Sequence, residues 1–422
     1  MPDFVIFLLM VAVFILAAAL LKLPVGLCLM LGALAGALAG GAGFPWRHFI
    51  EGAFGFFDIM LIIFTAILFM KVLQASGVLD TLTAVMIKSF YRQKSLLLLA
   101  STLLIMFPGM ITGSSTASVM TSGPLVAPVL TKLGLPKLKT GAFIAMAAVL
   151  GMLAPPVNIL VMIMGGGVDM PYVGVTIPLL LIVVPLAIII PLWIGRGEIK
   201  TVDQEEVKSL LPTSWHSKYG FRLYLPLLLV VGLMLGQRAL VKVMPDPGLP
   251  GIFLAGSLLG LVCGRPFNFW KTTTKAVSEA MPIVTILAGV GMFIQIMTLT
   301  GARGWIVMVF LSLPKVLLYA SMALVLPVFG GISAFGASSI LGVPLILAMI
   351  SKNAIYTSTA LSAIIGLGDL IPPAALAGRF AGKVVEEKNF IRILKYCLVP
   401  ALFVLAIGLT VLLTASFIDK IL

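Results

Sequence analysis

Charge is scarce in this chain. Only 10% of its 422 residues are Asp, Glu, Lys or Arg, where a soluble globular protein carries about a quarter. Acidic residues are the scarcer sign, 15 against 28 basic ones, and there are two His. So little charge excludes a soluble enzyme. His48 and His216 lie outside the apolar runs and no His-Glu-x-x-His occurs, so zinc-protease chemistry has no carrier. No Ser–His or paired-Asp arrangement falls inside the apolar runs either, which argues against an intramembrane enzyme. Three cysteines, Cys28, Cys263 and Cys397, sit in or beside apolar runs with no metal-type spacing, so neither a disulfide framework nor a zinc site is indicated.

What the sequence has is apolar surface. Hydrophobic residues make up 61%, with 42 Gly and 26 Pro spread through long runs. Lipid is therefore the solvent for most of the chain, and the useful count is of spans, at about 20 residues each. The net charge of +13 resides in short segments between runs, where its partner is the lipid surface and the insertion machinery, not nucleic acid. The first run begins without a basic leader and continues into a second, which reads as a retained helix.

Ten runs read as full crossings: 4–21, 23–41, 52–73, 140–164, 175–194, 221–240, 249–263, 281–299, 354–371 and 396–417. Two stretches, 95–131 and 315–351, are too long for one crossing and are interrupted halfway by Gly, Ser and Thr. Two short limbs with a polar tip read as a re-entrant hairpin. With both stretches as hairpins, 21 of the 28 Lys and Arg, Lys71 among them, fall on one face. The other face keeps Arg47, Arg238, Lys242, Arg303, Lys315, Lys352 and Lys420. The positive-inside rule makes the first face cytoplasmic and puts both termini outside.

The halves echo each other at an offset of roughly 220 residues. Gln74-Ala75-Ser76-Gly77 answers Thr298-Leu299-Thr300-Gly301. Ile111-Thr112-Gly113 answers Ile332-Ser333-Ala334, and Pro155-Pro156 answers Pro372-Pro373. Unit 1 spans 1–195, with its hairpin at 95–131 and a broken helix at 140–167; 196–220 is a cytoplasmic linker; unit 2 spans 221–422, with its hairpin at 315–351 and a broken helix at 354–373. Five crossings and a hairpin per unit force the second unit upside down. The fold class expected is thus an all-α polytopic membrane protein, an inverted repeat of the kind secondary transporters use, with cargo at the midplane.

The tips and breaks are where chemistry is expected. Hydroxyls and freed carbonyls are hard ligands for a small cation, and helix N-termini suit an anion. At the first tip Thr112, Gly113 and Ser115 are candidate cation ligands, and Ser114, Ser115 and Thr116 candidate substrate contacts. Ser333, Gly336 and Ser338 at the second tip are candidate cation ligands, with Ser338 and Ser339 toward substrate. Paired prolines free carbonyls, which adds Pro155 and Gly366 as cation ligands. Asn158 offers an amide to substrate. Asp369 is the one carboxylate inside the apolar run of a broken helix, a candidate for a cation or a proton. Gly32, Gly36 and Gly40 read as a packing seam, and the aromatic and basic stretches 44–48 and 267–271 as interfacial arms.

The Gly113-Ser114-Ser115 tip and the Leu-Gly-x-Leu-x-Pro-Pro break at 150–156 resemble the large membrane subunit of the tripartite ATP-independent periplasmic (TRAP) transporters, within the ion-transporter superfamily. That resemblance implies an elevator mechanism in the bacterial or archaeal inner membrane. It also implies sodium-driven import of a small organic anion, a periplasmic binding protein and a small four-helix membrane subunit as partners, and no cofactor besides the coupling ion. Two departures stand out: Ala117-Ser118 where the family commonly continues Ala-Asp, and Val157 where a Ser usually follows the prolines. No Arg lies at either tip. A stand-alone permease, with sodium or proton coupling through Asp369, is the alternative; a passive channel is a third.

Overall fold

The computed structural model describes residues 1–198, 212–239, 247–349 and 352–418, and among them every regular element is a helix. The linker expected at 196–220 lies mostly outside the described residues. Six helices have the length and apolarity to cross a bilayer: Phe57–Ala75, Lys94–Thr112, Thr176–Gly195, His216–Gln237, Phe269–Leu299 and Phe390–Ala415. Shorter apolar helices, Asp3–Ala19, Val25–Ala39, Gly248–Cys263 and Ala354–Leu370, fall on the remaining expected runs.

Where helices begin decides how they begin. Those entered through Pro2, Pro24, Pro136 and Pro314 have no side-chain cap. Helices that start inside the apolar layer cannot leave N–H groups to water. There Ser114, Asn158 and Ser333 each accept a bond from the backbone N–H three residues on.

Both long stretches reverse at the expected tips. Lys94–Thr112 turns at Gly113, in the left-handed region at φ 65°, and returns as Ser115–Lys132. Lys315–Gly330 turns through Gly331 to Ser333 and returns as Ala334–Ala348. The run 140–164 is split into Lys137–Leu153 and Ile159–Gly167, and every residue from Thr140 to Leu153 is buried. Its counterpart Ala354–Leu370 breaks before Leu376–Val384. Both Pro-Pro bonds, 155–156 and 372–373, are cis.

Hairpins and breaks form one packed body. Thr176–Gly195 and Phe390–Ile418 join it by packing on Lys137–Leu153. The other body is built on Phe269–Leu299, which packs against Val25–Ala39, Trp46–Phe54 and Phe57–Ala75. A Cβ on Gly289 would strike the backbone of Gly26, and one on Gly291 that of Gly52, so bare main chains touch at these crossings. The Gly32 and Gly36 seam accommodates Met10 and Phe293.

The structure differs from the sequence reading in two places. The second interfacial arm is not separate: 267–271 runs into one 31-residue helix, Phe269–Leu299. In the first half Gly52 and Gly55 end the arm Trp46–Phe54, whereas 276–280, Ala-Val-Ser-Glu-Ala, contains no glycine. Two segments between the expected runs are helices, Val78–Phe90 and Ala302–Ser312, each entered through a glycine at positive φ, Gly77 and Gly301. Lys71, one of the basic residues assigned to the cytoplasmic face, lies within the expected crossing, in Phe57–Ala75.

Candidate functional site

Each hairpin tip is seated on the break of its own half. At the first, Val157 N donates to Met110 O at 3.1 Å, and a Cβ on Gly151 would meet the Met106 carbonyl at 2.6 Å. At the second, Ala374 N donates to Gly331 O at 2.9 Å, and a Cβ on Gly368 would collide with the Gly330 backbone. In both, the residue after the proline pair donates to the hairpin, and a glycine four residues before the first proline lets arm and break touch.

The two halves meet in the interior. Ser115 Oγ donates to Asp369 Oδ2, joining the first tip to the second break. Asn158 Nδ2 donates to Ser362 Oγ at 3.2 Å and to Leu153 O at 2.9 Å, while its Oδ1 caps Val161 N at 3.1 Å. Gly366 packs on Leu153, whose Cδ2 lies 2.8 Å from where a Cβ would stand. Asn158 is fully buried and its amide is committed to binding the two breaks together. Tyr172 completes this joint, accepting from Asn158 N at 2.9 Å and donating to Pro156 O at 3.0 Å.

Asp369 is 5% exposed. Among the described residues no Lys, Arg or His is paired with it; its hydrogen-bond partner is the Ser115 hydroxyl. Ser118, three residues on and so on the same helix face as Ser115, has a buried Oγ without a partner. A Cβ on Gly109 would run into that hydroxyl. The Ser115–Asp369 contact and the partnerless Ser118 hydroxyl thus lie along one face of the returning limb.

The remaining first-tip hydroxyls face the other way. Thr112, Ser114 and Thr116 line a cavity of about 400 Å³ together with Thr121, Gln74, Lys71 and Glu279. Thr112 Oγ1 also donates to Pro108 O at 2.7 Å. The cavity lies between the first tip and the helices Phe57–Ala75 and Phe269–Leu299, so it separates the hairpin body from the other body.

At the second tip the hydroxyls turn inward. Ser338 Oγ donates to Ala334 O at 3.0 Å and Ser339 Oγ to Gly336 O at 2.9 Å, both fully buried in a π-helical turn. Ser333 is spent as the cap of Gly336 N. Gly336 packs on Phe14 of the first helix, whose ring stacks on Phe329 at 6.0 Å. The structure therefore brings Ser115 and Asp369 together and opens Thr112, Ser114 and Thr116 to a cavity. It keeps Ser338 and Ser339 in a separate packed layer.

Lys71, Gln74, Thr121 and Glu279 were not singled out from the sequence. A signal existed: Lys71 and Gln74 stand four and seven residues after Ile67, on one helical face.

This arrangement of hairpins seated on broken helices defines the chain as an all-helical, multi-pass membrane protein with a transporter fold. The YdaH transporter of Alcanivorax borkumensis aligns over 89% of both chains at a TM-score of 0.61 and 16% identity. MtrF of Neisseria gonorrhoeae, described as illuminating a class of antimetabolite efflux pumps, aligns over 88% of this chain and 84% of its own, also at 0.61 and 16%. No curated protein matches the chain in sequence. The profile of the DctM component of tripartite ATP-independent periplasmic transporters matches residues 7–418, and the chain belongs to that family. It is therefore a secondary transporter of the inner membrane and not an enzyme.

Proposed function

We propose that the chain is the large permease of a sodium-coupled system importing a small organic anion, a carboxylate or dicarboxylate, with the first tip and the two breaks as its site. One observation carries the coupling: a buried carboxylate, Asp369, whose partner is a hydroxyl and not a cation. Removing such a charge from water costs several kcal/mol, of order, unless a positive partner is supplied. A cation that loads between Asp369, Ser115 and the partnerless Ser118 hydroxyl meets that need with hard oxygen ligands. The carbonyls at Pro155 and Gly366 and the turn at Gly113 adjoin the same breaks and complete the oxygen set. A loaded cation beside the first tip then favours an anion in the adjoining hydroxyl-lined cavity.

Several features support an inverted repeat and an elevator. The tip-to-break bonds recur in both halves, as do the glycine contacts and the glycine-entered short helices. The division into a hairpin body and a second body, with the cavity between, suits a rigid carrier sliding on a scaffold. In this reading Thr176–Gly195 and Phe390–Ile418 travel with the hairpins and breaks. Both termini stand outside, following the basic-residue bias. Family membership generally entails a periplasmic binding protein and a small membrane subunit, and the small subunit would be the four-helix partner.

Asp369 also favours a second reading, a proton-coupled permease working alone, because a proton neutralises the carboxylate as well as sodium does. Uptake of radiolabelled organic acids into proteoliposomes separates the two. Imposed sodium gradients should drive accumulation when the two partner proteins are present and not when they are left out, and pH gradients should not. Uptake driven by a pH gradient alone selects the second reading, and uptake that ignores both gradients refutes coupling.

A further inference from the structure

Phe57–Ala75 holds a single basic residue, Lys71, three-quarters of the way along a predominantly apolar helix. Its side chain is 16% exposed and pairs at 2.5 Å with Glu279 of Phe269–Leu299, which is 52% exposed. The Lys71 ammonium also donates to Gln74 Oε1 at 3.4 Å. All three line the cavity under the first tip, opposite Thr112, Ser114, Thr116 and Thr121.

An ion pair with one half-exposed member contributes little to holding two helices together, so stability does not explain a lysine placed there. An ammonium has three donors, and Glu279 and Gln74 occupy two. Glu279 can swing into water at small cost, because half of it is already there. Lys71 is the less exposed member, at the cavity wall.

Resting on the reading of this cavity as the anion chamber, we infer that Lys71 is the scaffold-side cation that receives the substrate's carboxylate, and that Glu279 occupies that position when the chamber is empty. Substrate entry is then an exchange of carboxylates on one ammonium. Four hydroxyls and an amide on the facing walls suit the polar remainder of a hydroxylated acid, and the volume of about 400 Å³ suits a small one. The site would discriminate against uncharged polyols of the same size, which cannot displace Glu279.

The two partners of the pair should respond with opposite signs, which a merely structural salt bridge would not do. Full-length protein, purified in detergent with sodium present, is titrated with succinate, gluconate and pyruvate, and with sorbitol as the uncharged control. Binding is read by calorimetry and by the rise in unfolding midpoint. At least one acid should bind the wild type and sorbitol should not. Lys71→Gln should weaken that acid about 30-fold or more, as loss of one member of a desolvated charge pair does. Lys71→Arg should stay within about tenfold, and Glu279→Gln should bind about three- to tenfold more tightly because the competitor is gone. The inference is overturned if no acid binds the wild type, if Lys71→Gln binds as well as the wild type, or if both substitutions weaken binding alike. Sodium titrated without any acid reports separately on Asp369: a sodium response that survives while acid binding fails sinks the lysine assignment and leaves sodium coupling standing. Loss of both sinks both.

Discussion

Asp369→Asn exchanges a buried carboxylate for an amide of nearly the same shape, whose Oδ1 still accepts the Ser115 hydroxyl. In the cation-free protein the carboxylate bears a dehydration penalty of several kcal/mol, of order. One hydrogen bond to a charged acceptor returns about 1.5–3 kcal/mol. The amide has no charge to dehydrate, and its unmade N–H bonds cost about 1–3 kcal/mol. The terms nearly cancel, so the variant should be at least as stable as the wild type when sodium is absent. Sodium should reverse the order. A ligand at a hundred times its dissociation constant stabilises the folded state by about 2.7 kcal/mol, and the variant, lacking the carboxylate, should receive none of it. The assay is the unfolding midpoint of purified protein, followed by Trp fluorescence, in choline chloride and then in sodium chloride. A sodium shift in Asp369→Asn as large as in the wild type refutes Asp369 as a ligand, and a wild-type midpoint indifferent to sodium refutes the cation itself.

The two tips should answer differently to the same change: Ser115→Ala should weaken the sodium response about tenfold, a hydrogen bond to a charged group being worth at least that. Ser338→Ala, whose hydroxyl only returns to Ala334 O, should leave transport and sodium response within about twofold; equal losses would count against the division of roles. Gly368→Ala puts a methyl into the Gly330 main chain. That should lift the second hairpin off its break and lower stability by about 1–3 kcal/mol or more, seen as a lower midpoint and slower uptake; a neutral outcome would mean the contact is loose. Asn158→Ala removes a cap worth about 0.5–2 kcal/mol and takes from the buried Leu153 O and Ser362 Oγ the amide donor that links the two breaks, while Ser362 keeps its bond to Thr359 O. The midpoint should fall by more than a cap alone explains.

Much of the backbone plan could be read without coordinates because glycine and proline leave physical traces. Gly113 had to turn, and Pro155-Pro156 and Pro372-Pro373 had to interrupt their helices. What could not be read was rotation. Ser114, Ser115 and Thr116 are adjacent in sequence, so composition treats them as one cluster. Helical geometry sends Ser115 to Asp369 while Ser114 and Thr116 face the cavity. Asn158 resembles a ligand in sequence, yet its amide is consumed by the cap and by Ser362, a partner 204 residues away that no local pattern announces. Lys71 lies inside the expected crossing 52–73, but its partner Glu279 stands 208 positions on in another helix, and no local pattern joins the two into a cavity wall.

The contact between Ser115 and Asp369 also has a meaning in time. The two residues are 254 positions apart, and a ribosome delivers the first tip to the membrane long before the second break exists. Until then Ser115 has no carboxylate to meet, and the break at 155–156 has no Ser362 for Asn158 to hold. A half-synthesised chain therefore cannot possess a half-strength site: it holds an apolar hairpin with hydroxyls awaiting partners, and no buried negative charge to draw a cation into the bilayer. The fold thereby withholds its ion-attracting group until the structure that must contain it is complete.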